Sequence, residues 1–187
     1  MNFPNKLTLA RILLVPVFMI CASQEQSAEW MLTAGLVFAL ASFTDFLDGY
    51  LARKWGDVTD FGKFADPLAD KLLTTTAFIY MMGMGACHPV VIVAILAREF
   101  AVSGVRMVAA SKNRVIAANI WGKVKTVLQM VTVLVFYFGL PVELWLTGTG
   151  TVSNIISNVM CWAVAAVTLI SGAIYLWENR DCFMQAE

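Results

Sequence analysis

Four carboxylates, Asp45, Asp48, Asp66 and Asp70, stand in the stretch "FTDFLDGYLARKWGDVTDFGKFADPLADK" at residues 43–71, beside long apolar runs. The first pair is spaced i, i+3 and the second i, i+4, so on helices each pair shares one face. Two such faces meeting at one depth would gather four negative charges near a low-dielectric interior. There they repel and raise one another's pKa values unless a cation neutralises them. All-oxygen donors without His or Cys suit a hard ion, Mg²⁺ or Mn²⁺, rather than zinc. Four carboxylates suffice to hold two ions by sharing ligands, an arrangement that recurs in displacements at phosphorus. For any single Asp, a helix cap or a surface charge partnered by Arg53, Lys54, Lys63 or Lys71 is the simpler reading. Four in this register, with Gly49, Ala52 and Gly62 at close intervals where a ligand or another helix can approach the backbone, favour the metal.

The elements that must position these groups are apolar. With 59% hydrophobic residues among 187, the chain exceeds the roughly one-half of a soluble domain and is expected in a membrane. Six runs approach the ~20 residues a bilayer requires; they cover about 9–23, 31–52, 66–84, 89–110, 124–146 and 155–177. The polar connections between them are too short for a separate domain, so one domain over 1–187 is expected, an all-α integral membrane protein built as a six-transmembrane-helix bundle. A zero formal net charge gives no argument for nucleic acid as a partner. The four cysteines are far apart and form no C-x-x-C, and His88 stands alone, which argues against a zinc or disulfide framework. No small-residue cleavage pattern follows the first apolar run, so that run is expected to remain as a span.

All 13 basic residues fall at alternate ends of these runs, whereas "SQEQSAEW", "GMGACHP" and "VELWLTGTGTVSN" contain no Lys or Arg. By the positive-inside rule both termini and the basic connections are expected in the cytoplasm. Trp30, Trp55, Trp121, Trp145 and Trp177 lie near the expected span ends, where amphipathic rings favour the interface.

The carboxylate stretch resembles the motif of the CDP-alcohol phosphatidyltransferase family, D-x-x-D-G-x-x-A-R, eight residues, G-x-x-x-D-x-x-x-D. It reads here as Asp45, Asp48, Gly49, Ala52, Arg53, Gly62, Asp66 and Asp70, with every fixed position present. The resemblance extends over the whole chain, since that family is also a six-span bundle. "PNKLTLARI", "AREFAVSGVR" and "GKVKT" look like the branch of the family that uses glycerol 3-phosphate. The resemblance implies transfer of a phosphatidyl group from CDP-diacylglycerol to the 1-hydroxyl of sn-glycerol 3-phosphate, with release of CMP, at the cytoplasmic face of a bacterial inner membrane. It implies two divalent ions bridged by Asp45 and Asp66, with Asp48 completing one shell and Asp70 the other, and Asp70 acting as general base. Gly49 and Ala52 would leave room for the cytidine nucleotide, Arg53 and Thr59 would contact its phosphates, and Asn5 with Thr8 would close the pocket. Capping of a helix explains Asn5 and Thr8 equally well.

An acceptor carrying its own phosphate needs fixed cations, preferably an Arg fork. Arg98 and Arg106, spaced i, i+8, lie on roughly one face of the fourth run, and Lys123 and Lys125 open the fifth. The alternative is that these bases meet anionic headgroups, worth about 1 kcal/mol each near the surface. That alternative is preferred for Lys112 and Arg114, in a polar connection. Glu99 is either a partner orienting Arg98 or a charge at the interface. His88 lies at the opposite end from the carboxylates. Two rival functions remain: the same chemistry with inositol phosphate, serine or phosphatidylglycerol as acceptor, and a divalent-cation transporter. Against transport, the outer half has no matching acidic residues. Apolar outer faces, together with the family resemblance, favour a homodimer among membrane lipids.

Overall fold

Six helices account for the apolar runs: α1 (Phe3–Ala22), α2 (Ala28–Trp55), α3 (Asp60–Gly83), α4 (Pro89–Ser111), α5 (Ile120–Thr147) and α6 (Thr151–Glu178). A computed structural model describes residues 3–24, 27–55, 60–111, 116 and 120–180, and side chains within these except at 3–8, 45–55 and 60–70. No strand occurs among the described residues. Two helices, α5 and α6, are long and apolar enough to cross a membrane.

The helices outrun the apolar segments that announce them. The connection expected at 53–65 shrinks, because α2 continues to Trp55 and α3 already begins at Asp60. Likewise α5 starts at Ile120, so Lys123 and Lys125 stand inside its first two turns. Apolar periodicity marks the part of a helix that is buried or lipid-facing, whereas backbone hydrogen bonding continues through Lys, Asp and Gly once the helix is nucleated.

Polar groups within the bundle are satisfied locally where they can be. Thr33, Thr76, Thr126 and Thr132 donate to the carbonyls four residues earlier, at 2.7–3.0 Å. Outward-facing positions such as Leu13, Val93, Phe100 and Val159 are exposed and apolar, as a surface needing no water requires. Cys21, Cys87 and Cys161 are buried and free of disulfides.

Packing is centred on one aromatic side chain. Phe18 of α1 is fully buried, with ring centroids 6.1 Å from Phe38 of α2, 6.3 Å from Tyr80 of α3 and 5.3 Å from Tyr137 of α5. Such tilted and edge-on pairs add about 0.5–1.5 kcal/mol each beyond the area they bury. Gly35 lets α2 approach α5 closely, since a Cβ there would lie 3.1 Å from Tyr137 Cβ. Helix α4 packs chiefly against α6, where Val102, Val105 and Tyr175 form a second buried cluster.

The turn between α5 and α6 is fastened by a side chain. Gly148 takes a φ of +70°, which a residue with a Cβ rarely adopts, and so reverses the chain. Both carboxylate oxygens of Glu143 then accept from the opening of α6, at 2.8 Å from Val152 N–H and 2.6 Å from Ser153 N–H. A carboxylate on otherwise unpaired amides at a helix N-terminus also meets the positive end of the helix dipole.

Replacing Phe18 with Ala should remove the contact shared by four helices and cost about 3–5 kcal/mol, as for buried aromatic residues elsewhere. A thermal unfolding curve in detergent should show the melting temperature falling, and an unchanged curve would contradict the central role given to Phe18.

Candidate functional site

Helices α2 and α3 deliver the four aspartates. Asp45 and Asp48 lie in the last third of α2, and Asp66 and Asp70 in the first half of α3. The two helices pack together and are joined at their 55 and 60 ends, so both pairs lie near the same end of the bundle. Gly49, Ala52 and Arg53 continue along α2 from the first pair. Asn5 and Thr8 fall in the first two turns of α1. Because α1 runs antiparallel to α2, with Phe18 against Phe38, those turns lie alongside the stretch carrying Asp48 and Ala52. The side chains of Asn5, Thr8, Asp45, Asp48, Gly49, Ala52, Arg53, Asp66 and Asp70, and the whole of Thr59, lie outside the described residues. Arg11, about one turn beyond Thr8 on α1, is described and is 1% exposed, on a helix packed against both α2 and α3.

The residue after Asp70 opens the second half of the site. Lys71 Nζ lies 3.5 Å from Glu99 Oε2 on α4 and donates to Ser103 Oγ at 2.8 Å. Glu99 Oε1 also accepts from Arg98 Nη1 at 3.3 Å and pairs with the ammonium of Lys125 on α5. One carboxylate therefore gathers three cations from three helices. The side chains of Arg98, Lys125 and Glu99 are only 9%, 6% and 14% exposed, whereas Lys71 at 37% reaches toward solvent. At such burial each charge depends on its partners, because removing one leaves the others desolvated and uncompensated.

Arg98 is held from every side. Its Nη2 donates to Ser171 Oγ on α6 at 2.9 Å. The side chain runs between two glycines: a Cβ at Gly172 would stand 2.9 Å from Arg98 Cγ, and one at Gly122 would stand 3.3 Å from Nη2. Arg98 Nε remains buried without a hydrogen-bond partner among the described residues. Gln129 Nε2 and Thr168 Oγ1 are also buried and unpartnered. Gln129 lies one turn beyond Lys125, and Thr168 one turn before Ser171, so polar lining extends inward from the cation cluster on α5 and α6.

The remaining basic residues differ. Arg106 is exposed, donates from Nε to Tyr175 Oη at 3.3 Å and lies over that ring at 5.8 Å. Its partner Tyr175 lies on α6 with Ser171, the partner of Arg98, but Arg106 does not join the Glu99 cluster. Lys123 is exposed on α5. His88 stacks on Trp162, centroids 5.6 Å apart, at the end of the bundle away from the aspartates.

Glu99 stood out in the sequence only as the neighbour of Arg98, Lys71 only as a possible partner of the aspartates and Gly122 only within "GKVKT", while Ser103, Ser171, Tyr175 and Gly172 did not stand out at all. A single acid within the apolar run of α4, and Ser171–Gly172 within that of α6, were the available signals.

A helical bundle with an aspartate-rich helix pair beside a buried cation cluster is suited to joining a metal-bound polyphosphate to a second anionic ligand. The family model described as CDP-alcohol phosphatidyltransferase matches residues 1–171, and the chain belongs to that family. Among curated proteins, it is 40% identical to the CDP-diacylglycerol--glycerol-3-phosphate 3-phosphatidyltransferase of Bacillus subtilis (strain 168), over 96% of each chain. It is 39% identical to the protein of the same name from Rickettsia felis, over 97% of each. The Haemophilus influenzae protein of that name is 38% identical over 69% of this chain.

Substituting Ala for Gly172 would drive a methyl group into the stem of Arg98. The expected cost is about 1–3 kcal/mol of stability, typical of overpacking, measurable as a lower melting temperature. If Arg98 is also replaced with Ala the penalty should largely disappear, and a persistent penalty would show that the glycine serves another contact.

Proposed function

We propose that this chain transfers the phosphatidyl group of CDP-diacylglycerol to sn-glycerol 3-phosphate, giving phosphatidylglycerophosphate and CMP. The observation that carries the reading is the adjacency of Asp70 and Lys71. The first belongs to the aspartate motif, and the second binds into the cluster of Glu99, Arg98 and Lys125. A diphosphate-splitting centre and a cationic subsite for the acceptor's phosphate thereby become neighbours. Family membership and the names of full-length relatives support the same activity.

Asp45, Asp48, Asp66 and Asp70 offer an all-oxygen donor set that fits Mg²⁺ or Mn²⁺, with two ions shared between the helix pair. Bound there, the ions would neutralise the diphosphate and stabilise charge on the leaving CMP. The protein's own groups do the rest. Arg53 and Thr59 contact the nucleotide phosphates, Gly49 and Ala52 leave space for cytidine, and Asn5 and Thr8 close that pocket. Arg98 and Lys125, with Arg106 and Lys123 toward the rim, draw the acceptor's phosphate into place. Asp70 takes the proton of the 1-hydroxyl as its oxygen attacks the phosphorus bearing diacylglycerol. One P–O bond forms and the P–O bond to CMP breaks, so the lipid keeps the phosphorus and the nucleotide leaves as the monophosphate.

The same reading makes all six helices membrane spans, with both termini and the site on the cytoplasmic side of a bacterial inner membrane. Placement of the bases supports it, as does the exposed apolar exterior. CDP-diacylglycerol would enter laterally from lipid, and the water-soluble acceptor from the cytoplasm. Self-association as a homodimer belongs to this reading through the family resemblance and the apolar outer faces.

Purified enzyme in detergent, given CDP-diacylglycerol and Mg²⁺, should release CMP with sn-glycerol 3-phosphate and not with serine, inositol phosphate or phosphatidylglycerol. Chelation by EDTA should abolish turnover, and Asp70→Asn should lower kcat about 10²- to 10⁴-fold, as for loss of a general base. Arg98→Ala should raise the KM for sn-glycerol 3-phosphate about 10- to 100-fold, the cost of losing one charged hydrogen-bonding group. Turnover with a different alcohol would move the acceptor assignment while keeping the chemistry. Uptake of divalent metal into proteoliposomes without CDP-diacylglycerol would favour transport instead.

A further inference from the structure

Among the described residues the cation cluster contains one acid, Glu99, and its position is unusual for a phosphate-binding site. Carboxylates repel phosphate, yet Glu99 sits at the centre, with Oε1 on Arg98 and Lys125 and Oε2 on Lys71. Among the described residues of the cluster, three cations less one carboxylate leave a net charge of +2. A phosphate monoester carries about −1.5 to −2 at neutral pH. The cluster and such an acceptor therefore neutralise each other, whereas a neutral alcohol would leave buried positive charge uncompensated.

The donors are also partly held in reserve. Ser171 fixes one end of the Arg98 guanidinium and Glu99 another, while its Nε is buried and without a hydrogen-bond partner among the described residues. The Lys71 ammonium has three hydrogens, of which the contacts to Glu99 and Ser103 use only some. Without the carboxylate, three cations would stand together with two of them almost wholly out of water, and mutual repulsion would drive the flexible lysines apart.

We infer that Glu99 is a positioning residue of the acceptor subsite, holding Lys71, Arg98 and Lys125 in an array preset for a phosphate dianion and registered to Asp70. It acts through the cations and does not touch the reacting atoms. Through Lys71 it fixes where the acceptor's phosphate rests relative to the next residue back along α3. The inference rests on the acceptor reading proposed above and deepens it.

The test uses the full-length enzyme in detergent, with Glu99→Gln and Glu99→Asp. The Gln variant should raise the KM for sn-glycerol 3-phosphate roughly 10- to 100-fold, the range for losing a group that orients a binding side chain. The KM for CDP-diacylglycerol should stay within about twofold of wild type, and the Asp variant, shorter but charged, should recover part of the loss. Two results would overturn the inference: an acceptor KM that is unchanged or lower, meaning the carboxylate merely competes with phosphate, or both KM values rising together with a falling melting temperature. If Glu99→Gln does not fold, Glu99→Asp is read alone by the same selective rise in acceptor KM. If wild type uses another alcohol instead, the acceptor reading fails and inorganic phosphate decides about Glu99 separately. It should then raise the melting temperature of wild type but not of Glu99→Gln, and equal shifts in both would overturn the inference.

Discussion

Charge held out of water is the constraint around which this bundle is organised. Lys125 and Arg98 are each less than one-tenth exposed, and neither could stay charged there alone. Glu99 supplies the compensation, and in doing so joins α3, α4 and α5 at one depth. Ser171 extends the connection to α6 through Arg98. The same end of the bundle carries the aspartate-bearing stretches of α2 and α3. In a membrane the bundle could not place such groups on its outer face, which is why they gather between helices.

Packing elsewhere keeps that centre in register. Phe18 touches rings on three other helices, and Gly35 brings α2 against Tyr137 of α5. These contacts lie deeper along the bundle than the aspartates and fix the angle at which α2 and α3 arrive. At the far end, Glu143 fastens α5 to α6, so the two helices that hold Arg98 between them are tied near their turn. The apolar core and the polar centre thus divide the work, the first setting helix directions and the second setting the chemistry.

Much of this was legible in the residues themselves. Six apolar runs gave six helices, of which α5 and α6 are long and apolar enough to cross a membrane. Spacing assigns Asp45 and Asp48 to one helix and Asp66 and Asp70 to the next, and both helices are present. Arg98 and Lys125 stood out as cations on the fourth run and at the start of the fifth, but their burial did not. What spacing could not reveal was which helices turn toward one another. Ser171 lies 73 residues from Arg98 and Tyr175 lies 69 from Arg106, and nothing local to either end announces the other. Helix ends were also underestimated: Gly62 and Lys63 read as a loop but lie within α3, where main-chain bonding continues past the apolar limit.

The passage of Arg98 between Gly122 and Gly172 has a consequence for how the sequence can drift. A methyl group at position 172 collides with the arginine stem, and a smaller residue at 98 leaves the space between two glycines empty. Neither substitution is neutral while the other side is unchanged. Positions 98, 122 and 172, scattered over three helices, are therefore coupled by packing, and a chain without the guanidinium would have room to fill the glycines.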